Sequence, residues 1–167
     1  LNGGTIKDAA ANAATLTLAT PGATNSLGAS KAIIIDTQSP TIASVTSSSN
    51  DGTYKIGDVI PVTVTFSEAV NIVGGPQFTL ETGDADAVVN YTSGTGSSTL
   101  TFNYTVSEGE SSSDLDYAST SALGLNNGTI KDASGNNATL TLASPGATNS
   151  LGNAKALVVD GVRASVT

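Results

Sequence analysis

Residues 58–67 read Asp-Val-Ile-Pro-Val-Thr-Val-Thr-Phe-Ser, and this stretch indicates how the chain folds. Every second residue from Ile60 to Phe66 is apolar, so these side chains would share one face of an extended strand. Residues 100–106 show the same alternation, with Leu100, Phe102, Tyr104 and Val106 predicted to point inward. Two half-buried strands of this kind predict a sheet with one face against a core.

Shorter segments on either side of these two strands extend the pattern. Turn residues separate them at short intervals, which is typical of an all-β domain. No segment combines helical periodicity with a capping signal. The further predicted strands are residues 77–81, 87–92, 115–117, 137–142 and 156–160. Many short strands in one domain favour a two-sheet sandwich over a barrel.

The composition excludes several classes of function. The chain has 14 acidic and 6 basic residues, so nucleic acid and anionic membranes are poor partners. It contains no Cys and no His, which excludes disulfides, thiolate nucleophiles and Ser-His-Asp catalysis. No apolar run is long enough to insert in a bilayer. Carboxylates alone remain for catalysis and Trp is absent for stacking sugars, so we predict that the chain is not an enzyme.

The chain contains an internal repeat. Residues 1–36 align with residues 125–160 without a gap, and 26 of the 36 positions are identical. The offset of 124 exceeds the ~20–50 residues of a solenoid unit and suits a whole domain repeated along a chain.

This register divides the chain into three parts. Residues 1–36 would be the C-terminal part of one repeat, 37–160 a complete repeat, and 161–167 a linker with the start of another. The sequence also has no Met, from which we expect a piece of a longer, processed protein.

Three stretches together resemble bacterial Ig-like repeats of giant cell-surface proteins and adhesins, including calcium-dependent extender repeats. They are Asp-Thr-Gln-Ser-Pro-Thr-Ile (36–42), Val-Thr-Val-Thr-Phe-Ser-Glu-Ala-Val (62–70) and Ile-Lys-Asp-Ala-Ser-Gly-Asn (130–136). The resemblance covers nearly all of residues 37–160. It implies an immunoglobulin-like β-sandwich in tandem array, located outside the cell or on its surface.

The resemblance also implies a Ca²⁺ site at the junction between repeats. In an Ig-like sandwich, the incoming linker and two loops share one pole, which here would bring together Asp36, Glu68, Asp132 and Asn136. Carboxylate, amide and backbone oxygens are the ligands that Ca²⁺ prefers. Asp8 and Asn12 would serve the preceding junction, and Asp160 the following one. The alternative is that residues 132–136 form only a tight turn, in which Asp132 caps its own loop. Asp114 and Asp116, two residues apart, form a second acidic group that is more typical of a solvated loop.

We therefore expect an extracellular structural or adhesive repeat that acts as a spacer, stalk or filament segment. Its partners would be neighbouring identical repeats or subunits. Two alternatives remain. One is an adhesin module that binds carbohydrate, such as surface glycans, or another surface. The other is a filament subunit in which residues 1–36 complete a neighbouring sandwich by strand addition.

Overall fold

The computed structural model describes residues 2–164, and the chain divides into two compact units after Asp36. The regular secondary structure of the second unit is almost entirely β-strand, which confirms the all-β prediction. The predicted start of a following repeat, residues 161–167, lies partly outside the described residues.

The strands of the second unit form two sheets. They are β1 (Ile42–Ser47), β2 (Gly52–Lys55), β3 (Val59–Val73), β4 (Gln77–Leu80), β5 (Ala87–Ser93), β6 (Ser97–Thr105), β7 (Ser111–Ser112), β8 (Leu123–Gly124), β9 (Thr129–Lys131) and β10 (Leu157–Asp160). The larger, antiparallel sheet has the order β1-β3-β6-β5-β4-β8, and β9 pairs with the far end of β3. In the smaller sheet β10 lies between β2 and β7, parallel to β2 and antiparallel to β7.

The core lies on the face that the alternating pattern predicts. All eight side chains predicted to point inward from β3 and from the 100–106 segment are buried: Ile60, Val62, Val64, Phe66, Leu100, Phe102, Tyr104 and Val106. Phe78 packs against Phe102 and Tyr117, with ring centroids 5.4 and 5.7 Å apart. Burial of these side chains, at roughly 1.5–3 kcal/mol each, provides the main stabilisation of the fold.

Two of the predicted strands are not strands. Residues 115–117 form only an isolated bridge, between Leu80 and Tyr117. Residues 137–142 are irregular because their backbone N–H groups donate to three different segments: Ala138 to Ile130, Thr139 to Pro40 and Leu142 to Thr120. The apolar alternation in 137–142 therefore reflects burial without a partner strand.

The fold also contains two helical turns that no sequence pattern indicated. Two four-residue helices occur, α1 (Leu27–Ser30) and α2 (Leu151–Ala154). Each begins after a serine whose hydroxyl accepts a hydrogen bond from the third residue on, at 3.2 Å for both Ser26 and Ser150. One turn is too short to produce a helical period in the sequence, which is why the pattern did not reveal them.

The two ends of the second unit lie at different points along β3. Thr41 exchanges backbone and side-chain hydrogen bonds with Ser67, in the middle of β3. Asp160 pairs with Lys55, whose carbonyl accepts the N–H of Asp58 just before β3 begins. Eight strand residues separate these points, or roughly 26 Å at about 3.3 Å per residue.

The first unit, described over residues 2–36, repeats the local structure of residues 126–160 without its packing. Asn25 and Asn149 both have left-handed backbone, with φ of 71° and 72°, and α1 matches α2. The only β-pairing in the described part of this unit is an isolated bridge, between Lys7 and Ala13. Within residues 2–36 the Leu and Ile side chains are exposed, whereas most of their counterparts in the second unit are buried in the core.

Candidate metal centre

Strand β3 organises the candidate site. Its pairing with β6 shifts register between Thr65 and Val70, and Glu68 lies in this irregular stretch, half-buried. A break in register of this kind bends a strand and re-aims its side chains. Glu68 therefore lies in the interruption of the β3–β6 pairing, which resumes at Val70 just before β9 pairs with β3 from Asn71.

Strand β9 brings the second carboxylate to the same place. Lys131 is paired with Asn71 of β3, so Asp132 follows directly, close to Glu68 in the antiparallel register. The incoming linker is held beside both, because the Thr41 N–H donates to the Ser67 hydroxyl at 3.0 Å, and the Ser67 N–H donates to the Thr41 carbonyl. Ser67 is not among the predicted site residues, because no local signal distinguishes it from the other serines.

The loop 132–136 is closed by two residues, Asp132 and Asn136. Asp132 Oδ1 accepts the Asn136 N–H at 2.8 Å, and Asp132 Oδ2 accepts the Asn136 side-chain amide at 2.7 Å. Burial raises the pKa of Asp132, but the hydrogen bonds from Asn136 and from the loop backbone lower it more, so the pKa lies below its ordinary value. Asp132 is therefore a buried, ionised carboxylate whose orientation is fixed.

Three of the four predicted ligands come together. Asp36, which is bonded to Thr37 of the linker, Glu68 and Asp132 each offer a carboxylate oxygen, and these oxygens lie within 4.8 Å of one another. Asp36 and Glu68 are half-buried and Asp132 is buried. Like charges at such distances repel, at about 1 kcal/mol in water and several times more near a protein surface. A divalent cation among the oxygens would convert this repulsion into attraction.

Asn136, the fourth predicted ligand, positions Asp132 through its amide nitrogen and its backbone N–H. The atom that it could offer to a cation is its side-chain carbonyl oxygen. The tight-turn alternative and the metal-site prediction thus use the same residues in compatible ways, because a loop that fixes Asp132 would also prepare it as a ligand.

The corresponding loop in the first unit has the same hydrogen bonds. Asp8 Oδ1 accepts the Asn12 N–H at 2.8 Å, and Asp8 Oδ2 accepts the Asn12 amide at 2.9 Å. Hydrogen bonds from Asn12 lower the pKa of Asp8. Ala11 has φ of 67° where the second copy has Gly135, so the loop keeps its shape at the cost of a left-handed alanine. Asp160, predicted for the following junction, is exposed, and its carboxylate accepts the Val162 N–H at 3.3 Å.

The second acidic group lies at a different place. Asp116 is buried and accepts the backbone N–H groups of Gly146 at 2.8 Å and Tyr117 at 2.9 Å. Asp114 is exposed on the same side, near Gly152. The carboxylate of Asp116 fastens the Pro145-Gly146 turn to the sheet, which is a structural role.

Comparison with known proteins gives no family assignment, since no family model, curated protein or solved structure matches the chain. Within residues 2–164, neither helix has the length and apolar character needed to cross a membrane.

Proposed function

We propose that this chain is a structural repeat of a long extracellular surface protein, acting as a spacer, stalk or filament segment. The observation that carries the proposal is the internal repeat, 26 identical residues in 36 at an offset of 124. Duplication of this kind suits a function that depends on length and number of units. The absence of His and Cys from the sequence is consistent with a role that needs no side-chain catalysis.

The positions of the two ends of the second unit support the same function. Because Thr41 and Asp160 lie roughly 26 Å apart along the direction of β3, successive copies joined through these two ends would extend in one direction. Each repeat would then add its own length to the protein. We propose that the unit is an immunoglobulin-like sandwich, as expected from the resemblance of residues 37–160 to bacterial Ig-like repeats.

We further propose that Ca²⁺ binds at the junction through Asp36, Glu68 and Asp132, with the side-chain oxygen of Asn136. The support is the convergence of three carboxylates from separate segments, one of which is buried and ionised. Ca²⁺ takes six to eight oxygen ligands, so backbone carbonyls or water would complete the shell. An ion shared between the linker and the two loops would restrict the hinge at residues 37–40.

The test is thermal unfolding of the full chain in millimolar Ca²⁺ and in chelator. A ligand that binds only the folded state stabilises it by about 2.7 kcal/mol when free Ca²⁺ is ~100 times the Kd. For a domain of this size, we expect the midpoint to rise by several degrees, at about 2–4 °C per kcal/mol. Glu68→Gln and Asp132→Asn should abolish the rise.

The matched control is Asp84→Asn, which removes one negative charge from an exposed loop away from the site. This variant should keep the full Ca²⁺ effect. Equal shifts in all three variants would indicate non-specific screening, and a midpoint that Ca²⁺ does not move would refute the metal site. The spacer role is tested separately by small-angle scattering from chains with increasing numbers of repeats. Their maximum dimension should grow by a constant increment per repeat, and a compact particle would contradict the proposal.

A further inference from the structure

Residues 1–36 carry apolar side chains equivalent to those with which residues 125–160 form the core, and leave them exposed. In the second copy, five apolar side chains are buried against the rest of the domain: Ile130, Leu142, Leu151, Leu157 and Val159. Their counterparts are each more than half exposed: Ile6, Leu18, Leu27, Ile33 and Ile35. Three of the five pairs are identical, and the other two exchange one aliphatic side chain for another.

We propose that residues 1–36 form a donor segment that binds residues 37–124 of a second copy of this chain, in the place that residues 125–160 occupy within one chain. Here residues 37–124 are called the acceptor and residues 125–160 the internal donor. The proposal does not depend on calcium or on the spacer role.

The glycines of the donor segment match the steric demands of the acceptor. A side chain at Gly128 would collide with the Val73 carbonyl oxygen, and a Cβ at Gly152 would lie 3.0 Å from Asp116 Oδ2. Both positions are glycine in the donor segment, as Gly4 and Gly28. By contrast, Gly135 has open space around it, and here the donor segment has Ala11. Glycine is thus retained at both of the positions where the acceptor approaches closely.

The hydrogen bonds that hold the internal donor are also available to residues 1–36. Most are backbone bonds, such as the pairing of Leu157–Asp160 with β2 and the bond from the Val45 N–H to the Asn149 carbonyl at 2.9 Å. Backbone groups do not depend on the side chain, and the donor segment has its proline only where the internal donor has Pro145, at Pro21. Lys155, which donates to the Ser49 carbonyl at 2.9 Å, has the counterpart Lys31.

Chain geometry prevents the donor segment from binding the acceptor of its own chain. Asp36 would have to take the place of Asp160 near the start of β3, while Thr41 remains bonded to Ser67, eight residues further along that strand. The span is roughly 26 Å. The five peptide units from residue 36 to residue 41 reach at most about 18 Å. Binding therefore joins different chains, head to tail.

The internal donor normally holds the acceptor because it is tethered, and tethering gives it a millimolar effective concentration. Exchange becomes visible when the internal donor is weakened. We expect the full-length Leu151→Asp variant, with a charge at a buried site of the internal donor, to form concentration-dependent head-to-tail oligomers in light scattering after size exclusion. Its far-ultraviolet circular dichroism should recover the β-sheet signal as concentration rises.

The matched controls substitute Leu27, the counterpart of Leu151 in the donor segment. Leu27→Asp alone should remain a folded monomer, because Leu27 is exposed. The double variant, Leu151→Asp with Leu27→Asp, should lose both the oligomers and the recovered sheet signal. Oligomers that persist in the double variant would reveal non-specific aggregation and overturn the proposal. A Leu151→Asp chain that stays unfolded and monomeric at all concentrations would also overturn it. Leu151→Ala, a milder change, repeats the test if the aspartate variant expresses poorly.

Discussion

Replacing Leu142 and Leu18 with alanine, one at a time, tests how much the surroundings of a residue contribute to stability. The two leucines lie in nearly the same local sequence, Thr-Leu-Thr-Leu-Ala followed by Ser or Thr and then Pro-Gly. Leu142 is 3% exposed and Leu18 is 90% exposed. Any difference between the two variants therefore comes from packing, because local propensity is shared.

The expected magnitudes follow from burial. Leu142→Ala removes a buried isobutyl group and leaves a cavity, at a cost of about 3 kcal/mol within the ~2–5 range for such changes. That cost raises the unfolded fraction by roughly 150-fold, since each 1.4 kcal/mol is about tenfold. It should lower the midpoint by about 10 °C for a domain of this size. Leu18→Ala should change stability by no more than about 0.5 kcal/mol, as at other surface positions.

The assay is thermal and urea unfolding of both variants at low micromolar concentration, where exchange between chains is negligible. Coincident transitions by circular dichroism and tyrosine fluorescence would establish a single two-state unfolding. If Leu18→Ala destabilised the protein as much as Leu142→Ala, residues 1–36 would be packed in solution as residues 125–160 are. Our description of the first unit would then be refuted.

Two further predictions concern single side chains. Because the pKa of Asp132 is lowered in the folded state, its ionised form stabilises the protein above the unfolded pKa near 4, and this contribution disappears as the pH falls through the folded pKa. The Asp132→Asn variant should thus have a lower free energy of unfolding than the wild type at pH 7, measured by urea unfolding. This difference in free energy should shrink by pH 3, and a difference independent of pH would contradict the reasoning. Gly152→Ala should destabilise the protein by about 1–3 kcal/mol, because the new methyl group meets Asp116 Oδ2 at 3.0 Å. Gly28→Ala, with only the Gly22 nitrogen at 3.8 Å, should be neutral in the same melts, and equal losses would refute the steric argument.

The long strands of the fold could be predicted from the sequence because their side chains alternate. Strand β3 from Ile60 to Phe66 and strand β6 around Phe102 bury every second residue, and period two is visible without knowing the partner. Strands β2 and β7 are too short and too polar to show a period. Their partner, β10, comes from the end of the domain, so they form only after the chain has folded back.

The candidate site could be predicted only through the family resemblance. Asp36, Glu68 and Asp132 are separated by 32 and 64 residues, and no local pattern links residues so distant. The register of β9 on β3 and the clamp between Thr41 and Ser67 bring them together. Both are tertiary features. Local sequence does fix the loop itself, since Asp8 and Asn12 make the same hydrogen bonds in the exposed first unit.

The placement of the two ends of the domain has a mechanical consequence. A tensile force applied through Thr41 and Asp160 would act next to the start of β1 and at the last residue of β10. The backbone hydrogen bonds of β10 with β2 lie across the axis of β10, so a force along this strand would act on them together in shear. Peeling the strand from one side would break the same bonds in sequence and require less force. Under a load along β10, this pairing should therefore yield abruptly.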